Sequence, residues 1–143
     1  MSEKEQYSRS YVRELRYLAV IHNLSAPDLF WTESEEILTD IYNGIGPESW
    51  SGWFRRLTTW MLEFFESDAL IHDYEYVLPG KSYKMFTLAN VRFAYNACKL
   101  AFGKYRFCNA CRVSLLGVLL ALLCQCFGYN GYLKGRFPGK EIE

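Results

Sequence analysis

The segment VSLLGVLLALLCQCFGY, residues 113–129, constrains this chain more than any other. Its uninterrupted apolar core, Leu115 to Cys124, is ten residues long, and Gln125 breaks it. A membrane-spanning helix needs about 20 apolar residues. The run is therefore expected to be a core helix over residues 112–127, buried rather than spanning.

The rest of the chain carries helical periodicity and no run of period-two alternation. Ser8 or Ser10 can cap a helix over residues 11–23, with Val12, Leu15, Leu18, Ala19 and His22 on one face. Pro27 ends that segment. Thr32 or Ser34 can cap a helix over 33–42, whose early Glu33, Glu35 and Glu36 suit the positive end of the helix dipole. Gly44, Gly46 and Pro47 then form a break. Trp53, Leu57, Trp60 and Phe64 repeat at i, i+4, i+7 and i+11, again a helical stripe. A further helix carries ALIHDYEYV and ends at Pro79 and Gly80. Thr87 can cap a helix over 88–102. The fold class is all-α, with room for one short hairpin between 78 and 85 and a loose tail over 130–143.

The chain of 143 residues is half apolar and 17% aromatic, enough for one domain spanning 1–143 with its own core. Lysine plus arginine equals aspartate plus glutamate at 16 each, so the basic excess of a nucleic-acid binder is missing. The polar start MSEKEQYSRS is no secretory signal. Five cysteines, an odd number, imply reduced thiols and a cytoplasmic default. A phage-associated protein released by lysis would share these features. Cys108-x-x-Cys111 and Cys124-x-Cys126 raise zinc, but the paired knuckle spacing is missing and buried thiols are the expected state.

Two short stretches carry chemistry. In IHDYEY, His72 and Asp73 are helical neighbours about 100° apart, so they serve adjoining tasks rather than chelating together. Tyr76 lies at i+4 from His72 and i+3 from Asp73, close enough to support either. In YNGIG, Gly44 and Gly46 free the backbone to turn carbonyls inward. Calcium takes oxygen ligands of this kind. The carbonyls of Tyr42, Gly44 and Gly46 with the Asp73 carboxylate would make a partial cage.

Tyr42-Asn43-Gly44-Ile45-Gly46 followed by His72-Asp73-Tyr74-Glu75-Tyr76 resembles the phospholipase A2 superfamily, most closely the small phospholipase A2-like proteins of bacteria and their phages. NGIGPESW, DALIHDYEY and ANVRFAYNA match that family's three motifs in order, over about residues 41–97. The resemblance implies a calcium-dependent hydrolase of glycerophospholipid acyl esters acting at a phospholipid or membrane surface. It implies His72 as general base, Tyr76 in its supporting network, and Asp73 with the carbonyls of Tyr42, Gly44 and Gly46 as the calcium site.

Three departures follow. Asn90 stands where the family has the aspartate that holds the histidine's second nitrogen. Asparagine can accept from an imidazole but cannot stabilise imidazolium as a carboxylate does. In serine proteases that change costs about 10⁴ in turnover. Ile45 and Ala69 stand where bacterial relatives carry a pair of cysteines, so packing alone must hold the loop. The segment between loop and histidine helix is long, 25 residues from Pro47 to Ile71. The alternative to a weakened hydrolase is a non-catalytic helical module that keeps the scaffold and binds a lipid surface or partner protein. Arg55 and Arg56 among Trp53, Phe54 and Trp60 fit either an interfacial segment or a core stripe with solvated charges, and core packing is the expectation.

Overall fold

The computed structural model describes residues 8–42 and 63–138. Gly44, Gly46 and the stripe residues Trp53, Leu57 and Trp60 lie outside them. Every regular element among the described residues is helical: α1 (Arg9–Ile21), α2 (Asp28–Thr32), α3 (Glu35–Ile41), a 3-10 turn (Glu63–Phe65), α4 (Glu66–Val77), α5 (Tyr83–Lys104), α6 (Phe107–Phe127) and α7 (Tyr129–Lys134). The all-α expectation holds.

Local chemistry explains the boundaries. Ser8 caps α1 through the Tyr11 amide, and Ser34 caps α3 through the Ile37 amide. Val12, Leu15 and Ala19 form the buried stripe of α1, while Leu18 is partly exposed at its edge. Gly80, at φ +82°, turns the chain after α4 in a conformation that favours glycine. Ser82 then accepts from the Met85 amide at 3.1 Å and caps α5 five residues before Thr87. The hairpin allowed for between 78 and 85 is thus replaced by a capped helix start, with no strand among the described residues.

α4 is the central helix. It packs against α1, α3, α5, α7 and the 3-10 turn. Eight of its twelve residues are buried, His72 included, so even its polar residues are enclosed by neighbours. Phe30, Leu38, Phe65, Leu70, Ile71 and Tyr74 are buried in the core around it. Residues expected as a loose tail are also engaged as far as Phe137. Tyr132 of α7 is buried against Tyr76 and Phe86, each at 5.4 Å between ring centroids, and Phe137 packs on Tyr74. Gly135 lets the chain pass closely over the Tyr76 carbonyl.

α6 departs from expectation. Its most apolar stretch has a mean hydropathy of 2.0, yet only 22% of that window is buried. By length and composition it would reach across a bilayer. The buried positions are Ala110, Ser114, Gly117 and Ala121, all small. A β-carbon at Gly117 would overlap that of Ala97 on α5. α5 and α6 approach too closely for larger side chains between them, so the leucines turn outward. Cys108, Cys111 and Cys126 are exposed and Cys98 and Cys124 half-buried, against the expectation of buried thiols.

Candidate functional site

α4 and α5 bring together three residues that the sequence keeps apart. His72 Nε2 lies 2.8 Å from Asn90 Oδ1. The Tyr76 hydroxyl donates to the same oxygen at 3.0 Å. One helical turn separates His72 from Tyr76 on α4, and their rings sit 4.2 Å apart between centroids. Phe93, one turn after Asn90 on α5, meets the imidazole edge at 5.3 Å.

The partners define the protonation pattern. Asn90 Nδ2 donates to Gln125 Oε1 at 2.8 Å. Gln125 Nε2 donates to the Tyr83 hydroxyl and Thr87 Oγ1, each at 3.1 Å. As the two amides stand, Asn90 Oδ1 faces His72 as an acceptor. An acceptor at that position requires the proton on Nε2 and leaves the ring's lone pair on Nδ1. Among the described residues no hydrogen bond reaches Nδ1. Burial holds the imidazole at a pKa of about 4, and the Asn90 hydrogen bond offsets this only in part. The ring is therefore neutral at neutral pH.

The same enclosure acts on the neighbours. Burial raises the Tyr76 phenol far above its ordinary value, with the charge of Asp73 contributing, so Tyr76 stays a donor. A β-carbon at Gly128 would come within 3.0 Å of that hydroxyl. Asp73 follows His72 on α4 and is half-buried. Its charge also helps raise the Cys124 thiol, pushed up to about 11 mainly by burial. Tyr42 caps the end of α3 and is buried, and α3 packs on α4.

The Asp73 carboxylate is a hard oxygen donor of the kind that calcium takes. The Tyr42 carbonyl lies at the end of α3, and the Gly44 and Gly46 carbonyls lie outside the described residues. Among the described residues no group of three or more His, Cys, Asp or Glu side chains gathers as a metal site. A cage of carbonyls with one carboxylate needs no such group.

Sequence reasoning missed two parts of this centre. Gln125 was legible only as a break in the apolar run, although a lone amide in such a run is the signal of a buried polar partner. The second is a polar seam below His72. Asn96 Nδ2 donates to Asp68 Oδ1 at 3.0 Å and to the Ser25 carbonyl at 2.8 Å. Arg92 pairs with Glu75, whose carboxyl burial nevertheless pushes up to about 7. These bonds tie α4, α5 and the α1–α2 connection into one frame around the histidine.

No family model, curated protein or solved structure matches the chain.

Proposed function

We propose that this protein is a phospholipase A2-like hydrolase of glycerophospholipid acyl esters, calcium-dependent and slow. The observation that supports it best is the convergence of His72 and Tyr76 on Asn90 Oδ1, which leaves Nδ1 as the basic nitrogen. His72 Nδ1 removes a proton from water as the water oxygen attacks the acyl carbonyl. It returns the proton to the leaving alkoxide, giving a fatty acid and a lysolipid. Asn90 holds the ring and its tautomer, and Tyr76 holds Asn90. Asp73 and the carbonyls of Tyr42, Gly44 and Gly46 would hold calcium, which when bound polarises the ester carbonyl and stabilises the oxyanion.

Slowness follows from the environment. A base works best with a pKa near the working pH. His72 sits well below it, and neutral Asn90 gives imidazolium no counter-charge. The alternative of a non-catalytic module rests on the same two facts. Fatty-acid release from phospholipid vesicles separates the readings. Release that needs calcium and falls at least about 10²-fold in His72→Ala supports the enzyme. Release unchanged in His72→Ala removes His72 from the chemistry.

A further inference from the structure

The α5–α6 hairpin presents an apolar face that nothing among the described residues covers. On α6, Leu115 is 60% exposed, Leu119 48%, Leu122 53% and Phe127 79%. On α5, Leu88, Val91, Tyr95 and Phe102 point outward at spacings of three, four and seven, one helical stripe. Aromatic rings join α5 to α6 at the turn of the hairpin and α5 to α7 at its other end. Phe102 packs on Phe107 at 6.2 Å, and Tyr83 packs on Tyr129 at 5.5 Å. Scattered exposed leucines need no explanation, but exposed apolar residues aligned along two packed helices mark a binding surface.

Charge says what covers it. The net charge of zero hides a division of the chain. Between residues 76 and 140 there are ten lysines and arginines and no aspartate or glutamate. Lys84, Lys104, Arg106 and Arg112 are exposed on this hairpin or at its tip, and Lys134 and Arg136 are exposed just beyond its other end. Leucines between cationic ends, with tyrosines at the margin, are the pattern of an element lying in the interface of an anionic bilayer. A spanning placement fails on α5. Packed against α6, it would carry the part-exposed Arg92 and Lys99 to the depth of the hydrocarbon. A nucleic-acid surface would use the cations and leave the leucines unexplained.

We infer that the outward face of the α5–α6 hairpin docks flat on an anionic phospholipid bilayer, with α6 lying in the interface. Docking stands on this surface alone. It relies on the hydrolase reading only for the lipid being substrate as well as partner. Gln125 of α6 holds Asn90, so the docked helix is directly joined to the histidine site.

Vesicle co-sedimentation with ether-linked phospholipids tests this, because ether lipids have no acyl ester and docking is scored without hydrolysis. The wild type is expected to bind vesicles containing phosphatidylglycerol, to bind pure phosphatidylcholine far less, and to release as salt rises. Leu119→Glu with Leu122→Glu should weaken binding more than about tenfold while far-ultraviolet circular dichroism stays unchanged, since both side chains point outward. Arg106→Glu with Arg112→Glu leaves the apolar face untouched and should abolish the preference for phosphatidylglycerol. Binding to neither vesicle overturns the inference, as does binding that both double variants retain. A wild-type dimer that Leu119→Glu with Leu122→Glu dissociates, in a protein that ignores vesicles, assigns the face to a second copy instead. Hydrolysis of a soluble short-chain ester scores the active site separately.

Discussion

His72 is the residue on which the chemistry turns, and its environment makes a measurable claim. Burial keeps the ring neutral, with a pKa near 4 against an ordinary 6.5. Between those values the unfolded chain binds a proton that the folded chain refuses. The stability gained by keeping the ring neutral is whole above pH 6.5 and drains away as pH falls towards 4. Glu75, raised to about 7, slopes the other way, so the wild type alone would mix the two effects. The difference between wild type and His72→Gln in denaturant unfolding isolates the histidine. The wild type should lose on the order of 3 kcal/mol relative to the variant between pH 6.5 and 4. A difference flat with pH would show that the imidazole titrates normally. His72, Tyr76 and Asn90 were legible in the chain because i, i+4 spacing and motif order are local properties. Their shared acceptor oxygen was not, because it depends on how α4 and α5 are rotated against each other.

At the scale of elements, the α5–α6 pairing sets the site. Residues 35 apart in sequence, Asn90 and Gln125, meet because small side chains at Ala97 and Gly117 let the helices close on each other. Replacing Gln125 by Leu leaves Asn90 Nδ2 without its acceptor. The expected cost is about 1–3 kcal/mol. The freed amide can also turn its NH2 towards His72 and move the ring proton to Nδ1. Nitrogen-15 shifts of the imidazole should report that change of tautomer, which a simple loss of packing would not produce. The same pairing explains why α6 misled sequence reading. Apolar periodicity finds the buried face of a mixed helix, but α6 is apolar on every side. The small residues Ala110, Ser114, Gly117 and Ala121 carried the information, since only they fit a close contact. The α5 start was misplaced for a simpler reason: Ser82 and Thr87 are both competent caps, and Thr87 is instead used inside the helix to hold Gln125.

Across the whole molecule, two regions are built for different neighbours. α1 to α4 enclose most of the buried core and carry most of the acids, while the α5–α6 hairpin turns leucines and cations outward. Net charge averaged this away, just as mean composition hid the exposed face. The histidine lies at the joint, one side enclosed by α4 and the other braced by α6 through Asn90 and Gln125. That brace can accept a carboxylate. If Gln125 turned its amide over, Nε2 would donate to residue 90, and the hydroxyls of Tyr83 and Thr87 could donate to Oε1. Asn90→Asp should therefore fold, raise the His72 pKa from about 4, and favour the imidazolium that forms during reaction. The most direct measurement is fatty-acid release from anionic ester phospholipid vesicles at millimolar calcium, comparing wild type with Asn90→Asp. A slow calcium-dependent rate that rises at least about tenfold, and up to about 10⁴-fold, in the variant is the predicted result. No release by either protein, with both folded and bound to the vesicles, would contradict the hydrolase.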